Sequence, residues 1–192
     1  MTEQVIRFYE TGGPEVLKVE SQALGAPGPG EVRVGHRAVG LNFIDTYHRS
    51  GLYPVPLPSG LGLEASGVVE AVGEGVTRFA VGDRVAFGSG ALGAYASASL
   101  RSEAQLLAIP EGVSDEAAAA IMLKGMTAAY LLTQTRVLTA DDTILLHAAA
   151  GGTGLLMLQW AKDLGARVIG VVGSEEKAEI VARYGCDHVL LR

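Results

Sequence analysis

Only one cysteine, Cys186, occurs in the 192 residues of this sequence. A single thiol cannot form a disulfide framework within one chain or supply the clustered thiolates of a cysteine-rich zinc module. Aromatic residues are also few, at 6%. Basic residues are in the minority, 15 Lys and Arg against 21 Asp and Glu, giving a formal net charge of -6. Such a chain gains nothing from the phosphate electrostatics that dominate nucleic-acid affinity, so no nucleic-acid partner is expected. Long hydrophobic runs are missing too. The stretch from Ala117 to Leu123 is stopped by Lys124, far short of a bilayer span. Met1-Thr2-Glu3-Gln4 places an acid early and opens no apolar signal segment, so a cytoplasmic protein with no membrane partner is the expectation. Glycine, by contrast, is abundant at 26 residues, but without the G-X-Y period and with only 7 prolines, which excludes collagen. Hydrophobic residues make up 48%. That composition suits a folded chain of one or two domains.

The chain changes character near residue 112. Before it, short β-rich segments are punctuated by glycine. From Glu31 to Val39, residues Val32, Val34, His36 and Ala38 alternate with Arg33, Gly35, Arg37 and Val39, the pattern of a half-buried strand. Gly67 to Gly73 reads as a mostly buried strand ending in a Gly73-Glu74-Gly75 turn. Val81 to Val85 places a turn before another short strand, and Gly93 to Ser97 suggests one more. Many short strands with glycine turns predict a barrel-like β domain. Tyr53 to Pro58 carries three prolines and must be a rigid loop, because proline lacks the amide donor.

After residue 112 the period becomes helical. Ser114 can cap a helix that starts with Asp115 and Glu116 and runs to about Thr135. Thr143 to Ala148 reads as a buried strand. Gly151 to Leu164 is helical and stops at Gly165. Arg167 to Val172 is a second strand, Ser174 caps a helix ending at Gly185, and His188 to Leu191 starts a third strand. Strand and helix in alternation predict a parallel α/β unit. The expected domains are therefore 1–112 and 113–192.

The strongest chemical signal is the turn after the first parallel strand. Ala149-x-Gly151-x-x-Gly154 follows the dinucleotide fingerprint with alanine in first place. Gly151 lets the backbone approach a pyrophosphate, and Gly154 lets the helix pack close to the strand. Ala150, Gly152 and Thr153 belong to the same turn, whose helix N-terminus offers free amides to phosphates. A glycine motif alone is weak. Here it follows a strand, opens a helix and sits in a βαβ unit of about 30 residues, which is the context it needs. An ordinary tight βα turn is the alternative.

An NAD site usually places an acid about 20 residues further on, at the end of the second strand. This chain has Val171-Val172-Gly173-Ser174 there. Gly173 leaves room for a 2′-phosphate, Ser174 can donate to it, and Lys177 brings a positive charge. Those residues favour NADPH. Glu175 and Glu176 oppose it mildly, although acids are also ordinary in a first helical turn; a solvated surface lysine is the lesser alternative for Lys177.

Several segments together carry a family resemblance. They are Gly12 to Leu17, Gly40 to Tyr47, Arg49 to Pro54, Gly82 to Val85, Lys124 to Ala128 and His147 to Gly154. With them the sequence resembles the zinc-independent, zeta-crystallin-like quinone oxidoreductases of the medium-chain dehydrogenase/reductase superfamily, over nearly its whole length. The resemblance implies a GroES-like β domain followed by a partial Rossmann nucleotide-binding domain, with the nicotinamide in the cleft between them. It implies NADPH-dependent reduction of a quinone.

Zinc-using relatives carry a cysteine and a Gly-His-Glu segment where this sequence has Asn42 and Gly62-Leu63-Glu64. His36, His48, His147 and His188 show no metal-ligand spacing, so no metal is expected. Hydride transfer must then rest on positioning. A quinone is already electrophilic and needs a flat, mostly apolar slot with a donor near its carbonyl. By resemblance, Asn42 belongs near the nicotinamide ribose, Tyr47 and Tyr53 line or hydrogen-bond the quinone, and Asp45 anchors the local structure. Lys124 and Thr127 match a segment near the cofactor. For the two tyrosines, packing beside the proline loop is an equal alternative. For Lys124, it is a place on a helix surface.

The family's chains are much longer. This sequence stops at the third parallel strand, and the family's aromatic position after that strand is not recovered, the chain ending Leu190-Leu191-Arg192. A truncated chain, or a partner chain covering the open sheet edge, is the expectation, and a homo-oligomer is possible. Rival functions are NADPH-dependent reduction of an enoyl or alkenal double bond, and a non-catalytic NADPH-binding or structural protein.

Overall fold

The glycine-punctuated front of the chain forms two antiparallel sheets, in a computed structural model that describes residues 2–192. The chain divides into two units between Leu123 and Lys124. In the first unit, β1 (Thr2–Phe8) pairs with β2 (Lys18–Ala23). Next come β3 (Glu31–Gly40), helix α1 (Phe43–Ser50) and the short β4 (Ser59–Gly60). β5 (Glu64–Val72), β6 (Arg84–Phe87), β7 (Ala98–Ser102) and β8 (Leu107–Ala108) follow. The smaller sheet runs β2-β1-β4 and the larger β7-β3-β5-β6-β8. Val32, Val34, Ala65, Val69, Val85, Phe87 and Leu106 meet in the core of the larger sheet. Phe8, Val16 and Leu61 form a second cluster.

Two expectations for this unit need correction. The first strand of the larger sheet, β3, is not simply half-buried. Val32 and Val34 are buried as expected, but Arg33 on the other face is only 6% exposed. Its guanidinium is paired with Glu3 and donates Nε to Glu70 at 2.9 Å. Register shifts at Arg33/Val34 and His36/Ala38 also break the alternation. Second, Gly93 to Ser97 is not a strand. Only Ala96 bridges to Val5, and β7 begins at Ala98. Gly93 lies at φ +125, and the amides of Gly93 and Ala94 both bond the Gly62 carbonyl, which turns the backbone instead of extending it.

Helix α2 (Asp115–Tyr130) spans this division. Ser114 Oγ accepts the Ala117 amide at 3.1 Å, as a cap should. The expected run to Thr135 changes character at Leu131, where a wider π turn takes over and Arg136 bonds back to Leu131. Thr133 donates its hydroxyl to the Ala129 carbonyl at 2.7 Å, a back-bond that distorts helices.

The rest of the second unit is β9 (Thr143–His147), α3 (Gly152–Asp163), β10 (Arg167–Val172), α4 (Glu175–Arg183) and β11 (His188–Leu191). The strands are parallel in the order β11-β10-β9. Leu146, Leu158, Ala161, Val168 and Val181 fill the core. Gly165 and Gly185, at φ +85 and +81, end the two helices. β9 is not a buried strand. One face is covered and the other open, so Leu146 is 7% exposed while its neighbour Leu145, on the opposite face, is 55% exposed. The architecture is thus α/β with a β-rich first part, as expected. Among the described residues, no helix is long and apolar enough to cross a membrane.

Candidate functional site

Asn42 is the extended residue that starts α1, at φ -129. Its amide is taken by Asp45 Oδ2 at 2.9 Å, the return half of a capping box. Gly51, at φ +82, stops the helix one residue past its end. The same Asp45 oxygen accepts the Tyr95 hydroxyl at 2.7 Å. Burial, then this hydrogen bond, raises the Tyr95 phenol above its ordinary value. Asp45 is thereby tied into the start of α1 and is only 3% exposed. Asn42 points its Nδ2 at Glu64 Oε1, 2.7 Å away, and Glu64 Oε2 accepts the Leu123 amide at 2.7 Å. The carboxylate that orients Asn42 is fully buried.

Further along α1, the rings of Tyr47 and Tyr53 pack 5.2 Å apart at 54°. Phe43 meets the edge of Tyr47 at 5.3 Å, and the Tyr53 amide bonds the Tyr47 carbonyl. Tyr53 stays 48% exposed and Phe43 74%. An aromatic edge therefore stands beside the proline loop, with the two tyrosines brought together.

In the second unit the glycine turn sits between β9 and α3. The Gly151 amide bonds the Ala148 carbonyl at 2.8 Å, and Gly151 is the residue before the first helical turn. A Cβ on Gly154 would lie 2.4 Å from the Ala148 oxygen and 2.8 Å from that of Ala149. Only glycine permits so close an approach of helix to turn. Gly152, Thr153 and Gly154 supply the first-turn amides that a helix leaves without internal acceptors. A Cβ on Gly152 would collide with Lys124 at Cδ, 2.8 Å away, so the lysine stem lies over this glycine. Thr127 is one turn further along α2, on the same helix side. Both residues are half-buried.

A cavity of about 330 Å³ opens beside this turn, lined by His147, Ala150, Gly151, Gly173, Lys177 and Arg192 among others. It lies at the carboxyl ends of the parallel strands, where open α/β sheets bind ligands. A side chain at Gly173 would meet nothing within 4 Å, so the space beside it is open. Ser174 is not among the lining residues. Its Oγ accepts the Lys177 amide at 3.3 Å and caps α4.

Some participants had no sequence signal. Ala148 adopts φ +51, in the left-handed region that alanine seldom enters, and nothing in its identity announces this. His147 and Arg192 join the cavity only because β9 and β11 end beside it. Tyr95 lies within Gly93 to Ser97, the segment expected as a strand that turns instead. Glu64 was visible in the sequence as the acid of the Gly62-Leu63-Glu64 segment, but its hold on Asn42 was not. Among the described residues, no three His, Cys, Asp or Glu side chains gather where they could hold a metal ion.

Residues 28–141 match the alcohol dehydrogenase GroES-like domain, and residues 152–192 match the family described as zinc-binding dehydrogenase. A quinone oxidoreductase of Pseudomonas aeruginosa is 58% identical over 181 residues, which is 94% of this chain and 56% of that protein. A 2-haloacrylate reductase from a Burkholderia species is 47% identical, over 95% of this chain and 57% of the relative. The crystal structure of Escherichia coli quinone oxidoreductase complexed with NADPH is similar with a TM-score of 0.94 at 47% identity. That match covers 97% of this chain and 58% of the other. The chain thus spans somewhat more than half the length of the curated relatives it matches.

Proposed function

The chain belongs to the quinone oxidoreductases of the medium-chain dehydrogenase/reductase superfamily, and from that premise we propose that it is an NADPH-dependent quinone reductase. The observation that carries the cofactor is the cavity beside the glycine turn. Lys177 and Arg192 place two cations there, and Gly173 leaves open the position where an NAD site holds an acid. A 2′-phosphate is a better match for that charge than a 2′-hydroxyl. The first-turn amides of α3 face the pyrophosphate in this reading, with Gly151, Gly152, Thr153 and Gly154 keeping the approach clear. NADPH, when bound, supplies the hydride.

The chain's own residues orient the acceptor and exclude water. Asn42, held by Glu64, takes the nicotinamide-ribose side. Tyr47 and Tyr53 line the quinone or donate to its carbonyl oxygen, and Asp45 keeps α1 in place. Lys124 and Thr127 support the cofactor side. Hydride transfer is zinc-independent in this reading. Asn42, an amide already donating to Glu64, occupies the position where zinc-using relatives have a thiolate. We assign residues 1–112 to the acceptor domain, 113–192 to nucleotide binding, and the protein to the cytoplasm, with a homo-oligomer as its assembly.

A second reading is reduction of an activated carbon–carbon double bond. The 47% identity to a 2-haloacrylate reductase supports it. Steady-state oxidation of NADPH and NADH, with benzoquinone, phenanthrenequinone and 2-chloroacrylate in turn and with an EDTA control, separates the readings. Quinone turnover that prefers NADPH and ignores EDTA is expected. Turnover with 2-chloroacrylate alone selects the second reading, and nucleotide binding without any turnover leaves a non-catalytic binder. Lys177→Ala should weaken NADPH roughly five- to tenfold and leave NADH unchanged, a modest effect because the lysine is exposed.

A further inference from the structure

Arg101, on β7, is only 4% exposed, yet among the described residues no carboxylate pairs with it. Its Nε donates to Ser99 Oγ at 3.0 Å and its Nη1 to the Ala91 carbonyl at 2.6 Å. The guanidinium lies over the Phe87 ring, 4.1 Å from the centroid. Those contacts fix the plane of the group and leave Nη2 without a partner. Burial draws the Arg101 pKa down to about 10, so the group remains a cation at neutral pH. A buried cation without an anion is costly, and proteins normally pair it.

Arg101 borders a cavity of about 310 Å³ in the first unit. Arg7 borders it too. Its Nε is buried and has no hydrogen-bond partner, and its Nη2 reaches only the Pro58 carbonyl at 3.5 Å. One acid, Glu3, lines the same space, but Arg33 and the Ser97 hydroxyl already occupy its oxygens. The cavity therefore carries an excess of positive charge. Much of its remaining wall is hydrocarbon, from Val5, Ile6, Leu24 and Leu92. Its volume lies at the small end of the range for ligand pockets.

We propose that this cavity binds a small carboxylate with a hydrocarbon body, with Arg101 Nη2 as its donor and Arg7 as the second positive charge. The carboxylate completes the unpaired edge of the guanidinium, and the apolar wall receives the body. An inorganic oxyanion would leave that wall uncovered. The site needs neither nucleotide nor quinone, so its test is independent of the reductase reading.

Benzoate is the probe, titrated by calorimetry at fixed ionic strength without nucleotide, beside its uncharged analogue benzyl alcohol and inorganic phosphate. Saturable one-to-one binding of benzoate, with benzyl alcohol and phosphate much weaker, is expected. Arg101→Met keeps a stem over Phe87 and should lose benzoate affinity roughly ten- to a hundredfold. Arg7→Met should lose it severalfold. If Arg101→Met does not fold, Arg7→Met and the benzoate-to-benzyl-alcohol ratio decide. The proposal is overturned if benzoate does not saturate, if benzyl alcohol or phosphate binds as well, or if the folded variants bind benzoate like the parent.

Discussion

Glu64 has no exposed surface, and each of its oxygens takes a donor: Asn42 Nδ2 on one, the Leu123 amide on the other. A glutamine there offers one acceptor and one donor to two donors. Glu64→Gln should therefore lower unfolding free energy by about 1–3 kcal/mol, read from the urea midpoint. His36 makes a different prediction. Its Nδ1 lies 2.8 Å from the Ala96 carbonyl and its Nε2 2.8 Å from Ser99 Oγ, which already accepts from Arg101. A neutral ring satisfies both contacts, donating from Nδ1 and accepting at Nε2. Burial is the main reason that its pKa falls from 6.5 to about 4. Between those values the unfolded chain takes up a proton that the native ring refuses. Stability is therefore full above about pH 6.5 and drops as pH falls toward 4, by about 3 kcal/mol in all. Denaturation across that window should show the slope in the parent chain and a flatter profile in His36→Gln.

Elements were legible where local chemistry and tertiary placement agree. β10, α4 and β11 match their sequence signals because a caps-and-glycine code brackets them: Ser174 before α4, Gly165 and Gly185 after helices. Helix α1 gave no such signal. Phe43, Thr46, Tyr47, His48 and Ser50 are weak helix formers, and the helix is held by its Asn42–Asp45 cap and by Tyr95 from a distant segment. Gly93 to Ser97, expected as a strand, turns instead because Gly93 lies at φ +125, which its identity alone does not fix. The cavity beside the glycine turn was legible in the sequence at Ala150, Gly151, Gly173 and Lys177, all of which line it. Arg192 was not, since only the parallel pairing of β11 with β10 carries it there. The close approach of α3 to its turn gives the prediction at this scale. Gly154→Ala forces a methyl to 2.4 Å from the Ala148 oxygen and should cost about 1–3 kcal/mol, measured by thermal or urea unfolding.

At the scale of the whole molecule, each of the two units carries its own core, one within the antiparallel sheets and one around β10. A ligand of the second unit should therefore raise the unfolding temperature of that unit by mass action. Ala148 shows what its site asks of the fold. An L-residue in the left-handed region gives up roughly 1–2 kcal/mol, and glycine would recover part of that, less its greater freedom in the unfolded chain. Ala148→Gly is thus expected to hold or gain up to about 1 kcal/mol in global unfolding. The same change should weaken NADPH about two- to fivefold in equilibrium binding, because a turn that was ordered beforehand must now be ordered by the ligand. Selection for a sturdier protein and selection for a tighter nucleotide site would pull this one position in opposite directions.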